Sequence, residues 1–255
     1  PMSDFLIDTS EGVTTLSFNR PEKKNSLTAQ FYADLAVAIN AAAADEAVRV
    51  LVIQGHETVF SAGNDINDFL NNPPSTLDAP VFSFLNAIRD FPKPLLAAVC
   101  GPAVGVGTTM LLHCDFIYAG DNALFALPFV NLGLCPEAGS SMLLPQRIGH
   151  VRAAQALMLA DPLNAETALE WGLINAVLPP SEVTAYARQQ ALKLAAKPLT
   201  SLIQTKRLMK RAYAQTLPAH MDEEAQTFGP MLTQPAAREA FDAFLSKRKP
   251  DFSKV

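Results

Sequence analysis

The stretch "PLLAAVCGPAVGVGTTMLLHCDFIYAG" (residues 94–120) decides how this chain is read. Residues 94–114 carry no formal charge and reach the length of a membrane span. Gly101-Pro102, Gly105 and Gly107 break that run near its middle. Such punctuation suits a buried strand over 94–101, a turn, a helix at about 105–113 and a further strand over 115–120. Small residues let backbone come close to another group, and a helix start leaves N–H donors unpaired. A second turn of this design, "VFSAGNDINDF" (59–69), follows the strand-like "VRVLVIQG" (48–55). Two such turns facing each other can aim two amides at one oxygen. Spacing alone leaves this open, because glycine turns before helices are common. Neither turn matches GxGxxG or GxxxxGK[ST].

Working outward, "GVTTLSFN" (12–19) alternates and predicts a strand. "SLTAQFYADLAVAINAAAAD" (26–45) predicts a helix capped by Thr28. Beyond about residue 150 the chain turns Ala- and Leu-rich. Helices are expected in "VRAAQALMLA" (151–160), "NAETALEWGL" (164–173), "SEVTAYARQQALKLAA" (181–196), "LTSLIQTKRLMKRAYAQ" (199–215) and "AAREAFDAFLSKR" (236–248). "NAVL" (175–178) is strand-like. The organisation expected is an α/β core over 1–195 and a helical region over 196–255, without a visible internal repeat. "NNPPSTLDAP" (71–80) and the two ends read as irregular.

The 255 residues are 49% hydrophobic with a net charge of -5, enough for one large core. No sustained basic tract favours nucleic acid, and Lys206, Arg207, Lys210 and Arg211 read as a solvated helix face. Cys100, Cys114 and Cys135 lack metal or CxxC spacing and sit in apolar runs, so buried free thiols in a reducing compartment are expected. The N-terminus shows neither a basic n-region nor an apolar h-region, and Pro1 before Met2 reads as an artificial addition. The C-terminal "DFSKV" is not an SKL address. These features point to a soluble protein of the bacterial cytoplasm, with no membrane or nucleic-acid partner.

In "NALFALPFVNLGLCPEAGSSMLLPQ" (122–146) Glu137 is the only formal charge. An unpaired carboxylate is costly to bury. One reading places it in the first turn of a helix, where the macrodipole favours an anion. The other makes it an acid–base group in an apolar pocket, where desolvation raises its pKa. The two act in opposite directions. Asp65 reads as a turn residue, His113 as a packed histidine at a helix end, and Ser140 and Ser141 lack an evident histidine partner for a nucleophile.

Five segments in order, "NRPEKKNSL" (19–27), "FSAGNDINDF" (60–69), "GPAVGVGTTMLLHCDFIYAG" (101–120), "LPFVNLGLCPEAGSSMLLPQRIG" (127–149) and "FLSKRKPDF" (244–252), resemble the crotonase, or enoyl-CoA hydratase/isomerase, superfamily. The resemblance implies an α/β spiral of ββα units with C-terminal helices that form trimers, often paired into hexamers. It implies an acyl-CoA thioester substrate and no metal or redox cofactor, coenzyme A being part of the substrate. The backbone amides of Asn64 and Val106 would hold the thioester oxygen, with Gly63 and Gly105 beside them. Ser61, Ala62, Asp65 and Ile66 would line the adenine end, mainly through backbone. Lys23, Lys24 and Lys247 would meet the CoA phosphates, or else stand as ordinary solvated charge.

Departures from the pattern indicate the branch. Hydratases of this superfamily grip a water with two glutamates, whose positions here fall on Thr109 and Phe129. The acid of the isomerase branches falls on Glu137. With Asn64 where hydratases usually carry alanine, the wording looks most like the monofunctional Δ3,Δ2-enoyl-CoA isomerases of the peroxisomal type. A hydratase or other crotonase-type lyase, a dienoyl-CoA isomerase, and a noncatalytic acyl-CoA-binding homologue are the rivals.

Overall fold

The computed structural model describes residues 3–255; Pro1 and Met2, where the artificial addition was read, lie outside the described residues. Nine strands are present among the described residues: β1 (Phe5–Ser10), β2 (Val13–Phe18), β3 (Val50–Gln54), β4 (Leu95–Val99), β5 (Pro102–Val104), β6 (Phe116–Gly120), β7 (Leu124–Ala126), β8 (Leu163–Asn164) and β9 (Ala176–Leu178). The helices of the first half are α1 (Ala29–Ala44), α2 (Ile66–Asn71), α3 (Pro80–Asp90) and α4 (Val106–Thr109). Those of the second half are α5 (Ser140–Ile148), α6 (His150–Leu157), α7 (Ala165–Glu170), α8 (Val183–Ala195), α9 (Leu199–Lys210), α10 (Thr216–Met231) and α11 (Pro235–Leu245).

The main sheet runs β1-β2-β3-β4-β6-β9, parallel except for the β1–β2 pair. A narrow second sheet, β5-β7-β8, is extended by parallel bridges from Leu27 to Asn64 and from Ser61 to Ala103. The chain thus places a strand in the wide layer, a short strand or bridge in the narrow one, then a helix, and repeats. This is the expected spiral of ββα units, and its repeat is geometric rather than written in residue identities.

β3 and β4 read as continuous apolar runs because both faces of the sheet are covered. One face packs on α1 and α3 in the large core; the other, with Val50, Val52 and Leu96, meets Val183, Ala187 and Ala191 of α8. Leu217, Met221 and Phe228 of α10 and Ala237 and Phe241 of α11 belong to the same large core. No helix among the described residues is long and apolar enough to cross a membrane.

Three expectations change. The helix of 105–113 is α-helical only over α4, then tightens into a 3-10 turn over Met110–His113. β1 was not foreseen: most of its residues, Leu6 and Ile7 among them, face solvent at the sheet edge. α10 was not among the helices expected; Pro218 sits in its first turn, where a missing N–H costs little, and Pro230 lies near its end.

Candidate active site

The turn before α2 and the turn before α4 lie against each other. A Cβ on Gly63 would meet the Val104 carbonyl oxygen at 2.6 Å, and one on Gly107 would meet the Ser61 carbonyl oxygen at 2.7 Å. Those glycines permit one turn to approach the other. Among the described residues the amides of Asn64 and Val106 have no hydrogen-bond partner. Val106 is the first residue of α4, so its free N–H follows from helix geometry. The Asn64 side chain is fixed separately, its Oδ1 accepting from the hydroxyl of buried Tyr32.

Beside these turns opens a cleft of about 900 Å³ that includes its open mouth. Leu27, Tyr32, Phe69, Leu85, Met221 and Phe228 give it apolar walls, with Asn64, Glu137 and Glu224 among its polar atoms. Glu137 follows Pro136 and precedes Ala138 and Gly139, both in the left-handed region at φ 61° and 78°. A non-glycine residue in that region is a backbone outlier. It is held there by His113, whose buried Nε2 lies 2.6 Å from the Ala138 carbonyl oxygen. Burial pushes the His113 pKa down to about 4, so at neutral pH the ring is uncharged and Nε2–H donates. His113 is therefore the packed residue expected, with a definite task.

The Glu137 carboxylate receives one hydrogen bond, from the Thr109 hydroxyl at 2.6 Å. Burial raises its pKa to about 8; the Thr109 bond opposes this and nearby Glu224 adds to it. Desolvation thus outweighs the helix start, and the reason is visible. Glu224, reaching over from α10, has taken the α5 amides: Oε1 accepts from Gly139 N at 2.6 Å and Oε2 from Ser141 N at 3.1 Å.

Of the residues named from the sequence, Asn64 and Glu137 line the cleft; Thr109 reaches it through its bond to Glu137, and buried Val106 opens α4 without lining the cleft itself. Phe129 is buried, Gly105 precedes α4, and Gly63 stands under the first turn. Ser61 is fully buried, its hydroxyl donating to the Asn25 carbonyl, and the Ala62 amide donates to the Lys24 carbonyl. Asp65 caps α2 and pairs with Arg20 at 3.3 Å, as a turn residue should; Ile66 opens that helix. Lys23, Lys24 and Lys247 are exposed and line no part of this cleft.

Two readings are corrected. Ser141 does have a histidine partner, His220 Nε2 at 2.7 Å, but its hydroxyl also donates to Glu224 at 2.5 Å. The acid meets the serine rather than the far nitrogen of the ring, so the group is not a nucleophilic relay. Lys206 is not solvated: it is buried and paired with Asp115 at 2.8 Å, while Lys210 donates to the Arg89 carbonyl and burial lowers its pKa to about 8. Arg207 and Arg211 are exposed as expected. Cys100 and Cys114 are buried free thiols, pushed by burial up to about 11 and 12, and Cys135 is partly buried. No cluster of metal-ligating side chains occurs among the described residues.

Sequence reasoning missed Tyr32, Glu224 and the α10 wall. A signal existed: Leu217, Met221, Glu224 and Phe228 recur at helical spacing, an apolar stripe with one acid inside it.

Comparison with known proteins agrees with this geometry. Residues 8–254 match the family model described as enoyl-CoA hydratase/isomerase. The 2,3-dehydroadipyl-CoA hydratase of Escherichia coli K12 is 32% identical, over 98% of this chain and 99% of its own. Enoyl-CoA delta isomerase 2 of Rattus norvegicus is 36% identical over 87% of this chain, which spans 58% of that longer protein. An enoyl-CoA hydratase/isomerase from Pseudoalteromonas atlantica T6c superposes with a TM-score of 0.94 at 35% identity, covering 98% of this chain and all of that one. This chain is an enzyme of the enoyl-CoA hydratase/isomerase family, within the crotonase superfamily.

Proposed function

We propose that the protein is a Δ3,Δ2-enoyl-CoA isomerase, with Glu137 as the single proton shuttle and the Asn64 and Val106 amides as oxyanion donors. The observation that carries this reading is the half-buried Glu137 carboxylate, held by one hydroxyl in a largely apolar cleft. Removing a proton from C2 and returning one to C4 needs one base that then acts as acid on the same face of the chain. Charge gathers on the thioester oxygen of the dienolate, where each well-placed amide contributes about 2.7–4 kcal/mol. Apolar walls keep out the water that would quench that intermediate. Thr109 and Phe129 offer no carboxylate to activate a water. In this reading Lys23, Lys24 and Lys247 meet the CoA phosphates, and exposed Val151, Met158 and Met209 offer apolar surface for a trimer or a dimer of trimers.

Glu137→Gln should slow isomerisation of 3-enoyl-CoA by about 10²–10⁴-fold while CoA-ester binding persists. Near-normal turnover rejects the assignment. A hydratase reading draws on the second cleft carboxylate, Glu224, and on the Escherichia coli relative. Supplying cis- and trans-3-enoyl-CoA and 2-enoyl-CoA to one preparation separates the two: hydration without isomerisation favours the hydratase.

A further inference from the structure

Glu224 is the least expected group in the cleft. It is 7% exposed, comes from a helix far along the chain, and carries a carboxylate next to a second carboxylate. Its two oxygens take three donors: Gly139 N, Ser141 N and the Ser141 hydroxyl. Gly139 and Ser141 open α5, the helix whose free amides would otherwise lie beside Glu137. The Ser140 amide and hydroxyl are also taken, both by the Glu137 backbone carbonyl. Every nearby donor of the α5 start is therefore occupied by something other than the Glu137 carboxylate.

We propose that Glu224 is a positioning residue: it pins the turn that carries Glu137 and, by claiming the α5 amides, keeps the Glu137 carboxylate off them and free to face substrate. Its consequence for catalysis rests on Glu137 being the proton shuttle. A carboxylate that accepted two or three amides would be a poor base, because each bond favours the resting anion. Glu224 diverts those bonds to itself and adds a negative charge nearby; both effects make Glu137 hold its proton more tightly. The remaining groups around the pair do not replace it. Tyr32 of α1 is held neutral by burial, and Cys135 is raised by burial as well. Asp68 of α2 and Asp222 of α10 line the same cleft. His220 lies 3.8 Å from Glu224, and none of the salt bridges among the described residues reaches Glu137.

The test is Glu224→Gln, read in two ways. Difference infrared spectroscopy follows the protonated carboxyl of Glu137, identified by its disappearance in Glu137→Gln, and a pH–rate profile follows turnover of 3-enoyl-CoA. The amide removes the charge and leaves one acceptor for two backbone donors. The Glu137 titration should therefore move to lower pH by about one unit, with the acidic limb of kcat/KM following it. A purely structural role would lower turnover at every pH and leave the titration in place, and that result overturns the proposal. A titration that moves without the rate following it keeps Glu224 as the positioning residue but removes Glu137 as the shuttle. Should Glu224→Gln fail to fold, Ser141→Ala withdraws only one donor from Glu224. It should shift the Glu137 titration the same way by a smaller amount, and no shift there refutes the proposal.

Discussion

Two regions of this molecule bury charge, and they treat it differently. Behind the sheet, Lys93 donates to the carbonyls of Ala42 and Asp45, both at 2.8 Å. Lys206 there meets Asp115 and the Lys93 carbonyl, and Lys210 the Arg89 carbonyl. These ammonium groups are anchored to backbone. In the cleft, Glu137 has a single hydroxyl and no cation. Both regions pay the desolvation cost, but only one recovers it through partners. The contrast separates cations fixed by several partners from an acid left with a single one, as the proposed proton shuttle requires.

The contrast can be broken by measurement. Glu137 binds its proton more tightly folded, near 8, than unfolded, near 4.5. Below about pH 4.5 both states are protonated and burial of the acid costs nothing differential. As pH rises from about 4.5 to 8 the folded protein loses stability that Glu137→Gln cannot lose, and above 8 the loss is complete. The variant should therefore be more stable than the parent by roughly 5 kcal/mol at pH 9 and equal to it at pH 4, at about 1.4 kcal/mol per unit of the shift from 4.5 to about 8. Urea denaturation at the two pH values checks this, and equal stability at pH 9 would mean that Glu137 is fully compensated.

Lys206→Met should act in the opposite sense. It strips Asp115 of its cation and should cost about 2–3 kcal/mol, below the range for fully buried pairs because 26% of the Asp115 side chain is exposed. A thermal melt measures the loss, and the pH–rate profile should not move. The smallest effect belongs to Thr109→Ala. It removes the one bond that lowers the Glu137 pKa, so the acidic limb of kcat/KM should shift to higher pH by about one unit or less. A downward shift would show that the hydroxyl does not favour the anion.

What was legible follows from the range of the forces involved. Thr28 caps α1, with the Phe31 amide donating to its hydroxyl at 3.1 Å, because capping is local. The buried strands were visible as apolar runs between glycines, and Glu137 as the only charge in its segment. Partners brought together by packing left no local trace. Tyr32 reaches Asn64, and Ser141 meets both His220 and Glu224, only after distant segments have folded together. The burial of Lys206 was hidden for the same reason, since a basic helix face looks solvated until something covers it. α10, which no expectation covered, holds prolines at its start and near its end, where their cost is small.

Chain order gives this arrangement a consequence during synthesis. The turn bearing Glu137 leaves the ribosome well before α10, about 80 residues further along, and the two must meet for the domain to fold as a unit. Until α10 docks, the wall of Met221, Glu224 and Phe228 is missing, water reaches the acid, and nothing holds its proton beyond what any solvated glutamate does. If Glu137 is the proton shuttle, the nascent chain is chemically idle until its own late helix completes the surroundings of that acid.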